Sequence, residues 1–185
     1  MSRQFWAETV SWATADGTAV ANSTTETILF PNITIPANFM QDGRALRITA
    51  YGRHSTTGTP TLTFRIRWGG VAGTILCASG AITAGSGVTA AMWRLEAIIQ
   101  VRTNGATGTI FATGEVELAE DAANTVGSAT NATAVGLMGS AGVATPAAAT
   151  VDLTADTALA VTVQWSAASA SNTITGHNYI LEALN

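Results

Sequence analysis

Lysine is absent from the 185 residues, so all eight basic side chains are arginines, and they are scattered along the chain. With a net charge of −4 and pI near 5.0, that scatter excludes the clustered basic footprint of a nucleic-acid-binding protein. A phosphate-binding glycine loop that ends in Lys-Ser/Thr is impossible without lysine, and no Gly-x-Ser-x-Gly elbow occurs. One cysteine, Cys77, rules out an internal disulfide framework. Two histidines, His54 and His177, are too few and too far apart for the H-x-H metal site of cupin-type jelly rolls. No stretch approaches the ~18 consecutive apolar residues of a membrane helix. The opening MSRQFWAETVSW has no apolar run after its arginine, so it reads as a chain without a secretory leader, made in a cytoplasm. Charged residues are only 11%, against about 25% in typical domains, so the surface must be built from uncharged groups. Those groups are supplied by 30 threonines together with Ser, Asn and Gly, while 35 alanines bring the hydrophobic share to 47%.

The pattern within that composition is alternation with a period of two, with turn residues every 8 to 15 positions, which predicts an all-β chain. In Pro60 to Gly69, Leu62, Phe64, Ile66 and Trp68 share one face and Thr63, Arg65 and Arg67 the other. Arg44 to Arg53 alternates likewise, with Leu46, Ile48 and Ala50 inward. The strongest hairpin is Ala91 to Thr103 and Gly108 to Ala119 around Asn104-Gly105, since Asn-Gly adopts the positive φ of a tight primed turn. Its inward stripes are Trp93, Leu95, Ala97, Ile99 and Val101 against Ile110, Ala112, Val116 and Leu118. Further strands are expected at Ala19 to Phe30, closed by Pro31 and Pro36, around Thr74 to Ala78, over Leu159 to Trp165, and from Thr173 to Leu184. Eight main strands in one domain of this size predict an antiparallel β-sandwich, with the jelly roll the leading topology and a barrel or an immunoglobulin-like sandwich the alternatives. The expected organisation is an N-terminal arm over 1–18 and a sandwich over 19–185. The sandwich includes a long Ala/Gly/Ser/Thr-rich loop over 121–152, which takes its order from whatever it packs on, a partner or its own domain.

Convergent titratable groups of the kind an enzyme site needs are missing, and no catalytic residue or cofactor site is predicted. Cys77, within Ile75-Leu-Cys-Ala, reads as a buried small hydrophobe. His54 opens a turn and His177 sits mid-strand. The one metal candidate is the carboxylate cluster Glu115, Glu117, Glu120 and Asp121, because oxygen ligands suit calcium and Glu115 and Glu117 project from one strand face. The competing reading is a solvated acidic edge paired to Arg94 or Arg102 across the hairpin. Trp68, Trp93 and Trp165 continue inward stripes. Phe5, Trp6 and Trp12 lie outside the eight strands, and aromatics on a terminal arm suit a partner interface.

The segments Gly43-Arg-Ala-Leu-Arg-Ile-Thr-Ala-Tyr-Gly52, Ser55-Thr-Thr-Gly-Thr-Pro-Thr-Leu-Thr-Phe64, Arg67-Trp-Gly-Gly70 and Trp93-Arg-Leu-Glu96 through Arg102-Thr-Asn-Gly105 resemble the small β-sandwich virion proteins of tailed bacteriophages. These are the head decoration, head fibre and tail fibre proteins. The resemblance runs over about Ala37 to Gly114 and the last strand. It implies a non-enzymatic structural protein of the virion: a capsid decoration protein that forms a homotrimer and touches the major capsid protein or another virion protein, with neither nucleic acid nor membrane as partner. The alternative it implies is the receptor- or glycan-binding head of a fibre. Few loops carry aromatic residues, which favours the scaffold over the lectin.

Overall fold

The computed structural model describes residues 7–120, 135–142 and 145–184, and among them every regular element is a strand. In chain order these are β1 (Ala7–Trp12), β2 (Val20–Ala21), β3 (Thr27–Ile28), β4 (Ile33–Ile35), β5 (Ala45–Ser55), β6 (Thr61–Trp68) and β7 (Thr74–Ser79). They continue as β8 (Ile82–Thr83), β9 (Ala91–Thr103), β10 (Gly108–Leu118), β11 (Val135–Ser140), β12 (Ala149–Val151), β13 (Thr157–Trp165) and β14 (Thr173–Leu184). All pairings are antiparallel, and one hydrogen-bonded path, β1-β14-β5-β9-β10-β11-β7-β6-β13-β3, runs through them. The path curls on itself into a jelly-roll-like sandwich. β14, β5, β9 and β10 form one layer and β7, β6 and β13 the other, joined along one side where β11 bridges β10 and β7.

The expected stripes supply the core between the layers. Leu62, Phe64, Ile66 and Trp68 of β6 are buried, as are Trp93, Leu95, Ala97, Ile99 and Val101 of β9 and Leu159, Val161, Val163 and Trp165 of β13. Phe64 and Trp93 meet across the layers with ring centroids 5.6 Å apart. Each such side chain contributes roughly 1.5–3 kcal/mol through burial. Trp93 needs room that a side chain at Gly52 would remove, because a Cβ there would lie 2.6 Å from the indole nitrogen. Gly176, directly opposite Gly52 on β14, leaves the same kind of room for Phe30, whose ring a Cβ would approach to 2.4 Å. The paired glycines form a trough under two aromatic rings, and the Trp93 indole N–H donates to the Thr175 carbonyl at 3.1 Å.

Two segments depart from the sequence expectation. Ala19 to Phe30 is not one strand: β2 pairs with β14 in the first layer and β3 with β13 in the second, and the chain turns between them from Asn22, at φ 50°. Ile33 to Ile35, between the two prolines, is itself a strand on β13. The stretch expected as loop contains β11 and β12, both paired to β10. Its small residues allow a close fit, with Gly136 against Ile82 and the Ser140 hydroxyl accepting from the Ala112 N–H at 3.1 Å.

Candidate functional site

The outer face of the first layer carries the groups with chemistry. Register places Trp12, Ile180, Thr49, Glu96, Glu115 and Leu137 in one row across β1, β14, β5, β9, β10 and β11. Its two ends are apolar and open, with Trp12 58%, Ile180 50% and Leu137 76% exposed. The adjacent row runs Asn178, Tyr51, Arg94, Glu117 and Val135.

Arg94 sits among three carboxylates. Its guanidinium is 3.1 Å from Glu115, 3.7 Å from Glu117 and 3.9 Å from Glu96. All four side chains are more than a third exposed, so each pair contributes well under ~1 kcal/mol. Glu115 and Glu117 of the calcium candidate do converge, and the group they converge on is the Arg94 guanidinium. Glu120 turns inward and is buried, away from both, and Asp121 lies outside the described residues. Among the described residues no group of three or more His, Cys, Asp or Glu side chains is placed to hold a metal. Arg102 does not join the acidic edge; its guanidinium lies over the Phe111 ring at 4.8 Å.

The partner-interface candidates divide in the same way. Phe5 and Trp6 lie outside the described residues. Trp12 ends β1, which pairs with β14 of its own chain, and its indole lies next to Ile180 on the outer face. Ile180 went unremarked in the sequence, although strand parity in Asn178-Tyr-Ile-Leu-Glu182 sets it outward between two polar neighbours. Trp68, Trp93 and Trp165 are buried.

The remaining titratable groups have structural surroundings. Burial pushes the Cys77 thiol up to about 12, against a weaker opposing hydrogen bond to the Ile66 backbone. Burial likewise pushes His54 down to about 4, opposed only by the Ala91 backbone, and no hydrogen bond of good geometry reaches its ring nitrogens among the described residues. His177 is held by Asp16, Nδ1 to Oδ1 2.9 Å. On the outer face of the other layer, Glu26 lies across β6 and β13 and accepts from Arg67 at 2.6 and 2.7 Å, from Arg65 at 3.1 Å and from the Thr162 hydroxyl. Burial works against the Glu26 carboxylate, but the Arg67 and Thr162 hydrogen bonds and the charges of Arg65 and Arg67 outweigh it and hold its pKa below the ordinary value. Two arginines on one polar strand face were the sequence signal for this clamp; Glu26, 39 positions from Arg65, was not.

No family model and no curated protein matches the chain. Among solved structures it is similar to the CBM2 module of the evolved Dit of Lactobacillus casei BL23 phage J-1, with 10% identity and a TM-score of 0.40 over 99% of this chain and 98% of that one.

Proposed function

We propose that the chain is a non-enzymatic structural protein of a tailed-phage virion, a decoration protein that assembles as a homotrimer on the capsid surface through the outer edge of its first layer. The observation that carries this reading is the Trp12–Ile180 pair. Two large apolar side chains stand side by side, each at least half exposed, on the outermost strand pair of the sheet path. Exposed apolar pairs are costly in a lone domain, and aromatic residues are enriched at interface cores. Among the described residues β1 also has an unpaired edge, where a neighbouring chain can add hydrogen bonds. A mean hydropathy of +0.29 and the sequence resemblance to phage head and fibre proteins agree with a chain that works in an assembly.

Sedimentation velocity at micromolar concentration tests the reading: the protein is expected to run as a trimer, and Trp12→Ala and Ile180→Ser to shift it toward monomer with unaltered circular dichroism. Co-sedimentation with capsids lacking the protein tests attachment. A concentration-independent monomer that binds capsids as well with Trp12→Ala as without it overturns the proposal.

A further inference from the structure

We propose that the hollow on the outer face at Tyr51, Arg53, Met92, His177 and Asn178 is a binding site for an uncharged saccharide unit. This goes beyond the virion role and does not depend on it. The hollow has a volume of about 460 Å³, within the range of small-ligand sites. An irregularity of the ladder creates it: the β14–β5 register shifts between Gly176 and Asn178. Gly176 and Tyr179 therefore both face the core, while His177 and Asn178 both stand toward the outer side. Alternation on β5 brings Tyr51 and Arg53 to the same face, and Met92, 42% exposed, lies opposite Arg53 on β9.

The groups gathered there suit a sugar ring. The Tyr51 ring and the Met92 thioether offer an apolar floor of the kind pyranose C–H faces stack on. Among the described residues, Tyr51, Arg53 and Asn178 spend no side-chain hydrogen bond on the protein. They leave a hydroxyl, a guanidinium and a carboxamide for ligand hydroxyls. His177 is already oriented by Asp16 through Nδ1, which leaves Nε2 for a ligand hydroxyl. A hollow with both donors and acceptors around an apolar floor matches the alternating polarity of a sugar ring.

Electrostatics selects against an acidic sugar. Arg53, which has no ion-pair partner among the described residues, shares its face with Glu96, Glu115 and Glu117, where Arg94 neutralises only one of three charges, and the whole chain carries −4. A carboxylated or phosphorylated saccharide would gain Arg53 as a partner but would approach a face and a chain of net negative charge.

Amide chemical-shift titration of the full chain with cellotriose, galactotriose and chitotriose, and with trigalacturonate as the charged control, tests the assignment. At least one neutral trisaccharide is expected to shift the amides around Tyr51, Arg53, His177 and Asn178 with a Kd on the order of millimolar, as befits an open site with few contacts. Tyr51→Ala and, separately, Asn178→Ala are expected to weaken that response about tenfold or more while leaving the remaining spectrum in place. Failure of all three neutral sugars up to about 20 mM, shifts that map elsewhere, an equal or stronger response to trigalacturonate, or unchanged affinity in both variants each overturns the proposal. Trimer formation by the same samples reports separately on the virion role.

Discussion

His54 is the residue whose burial has the clearest solution consequence. Its folded pKa of about 4 lies below the ordinary 6.5, so the unfolded chain takes up the proton first as pH falls. The stability that follows from keeping the ring neutral is complete above about pH 6.5 and declines toward pH 4, the loss reaching ~3 kcal/mol once both states are protonated. Urea midpoints across that window are expected to fall for the native chain and to stay flatter for His54→Leu; parallel pH profiles would show that His54 is not the origin. Cys77, with its thiol raised to about 12, is expected to resist a disulfide reagent in the native state and to react at once in denaturant. The glycine trough is as unforgiving as it is small. Gly176→Ala pushes a methyl into the Phe30 ring and is expected to cost ~1–3 kcal/mol in chemical denaturation.

At the scale of elements, the Glu26 clamp ties the segment between β2 and β3 down onto β6 and β13. Glu26→Gln keeps the shape but strands two largely buried arginines, with an expected loss of ~1–2 kcal/mol, read as a lower thermal midpoint. Because the Glu26 pKa is lowered on folding, the native clamp holds above the ordinary 4.5 and weakens as pH falls beneath it; the variant loses that dependence. Strand by strand, legibility followed burial. β6 and β9 were plain because one face is dry and the other wet, so Leu62 to Trp68 alternate without exception and Trp93 to Val101 with only Ile98 as an apolar residue on the outer face. β11 was hidden because Gly136, Gly139 and Ser140 carry no strand preference of their own; the open edges of β10 and β7 make that segment a strand. The hollow was harder still. Tyr51 and Arg53 share strand parity in the sequence, but nothing in it marks the ladder shift that lifts His177 and Asn178 together.

At the scale of the molecule, the two layers share one continuous ladder whose ends are β1 and β3. β14 is flanked on one side by β5 and on the other by β1 and β2, so the chain's first and last described strands lie side by side. During synthesis this ordering has a cost in time. β5 can pair with β9, and β9 with β10, as they emerge, but β1 and β2 wait, unpaired, until Thr173 to Leu184 leaves the ribosome. Until then the growing chain exposes the inner face and the open edge of β5 to its neighbours, and long-range pairing of this kind is slow and prone to association. A messenger cut short before the codon for Thr173 is therefore expected to yield aggregated rather than merely weakened protein, and slowing translation over the last dozen codons to lower the soluble yield of the full chain.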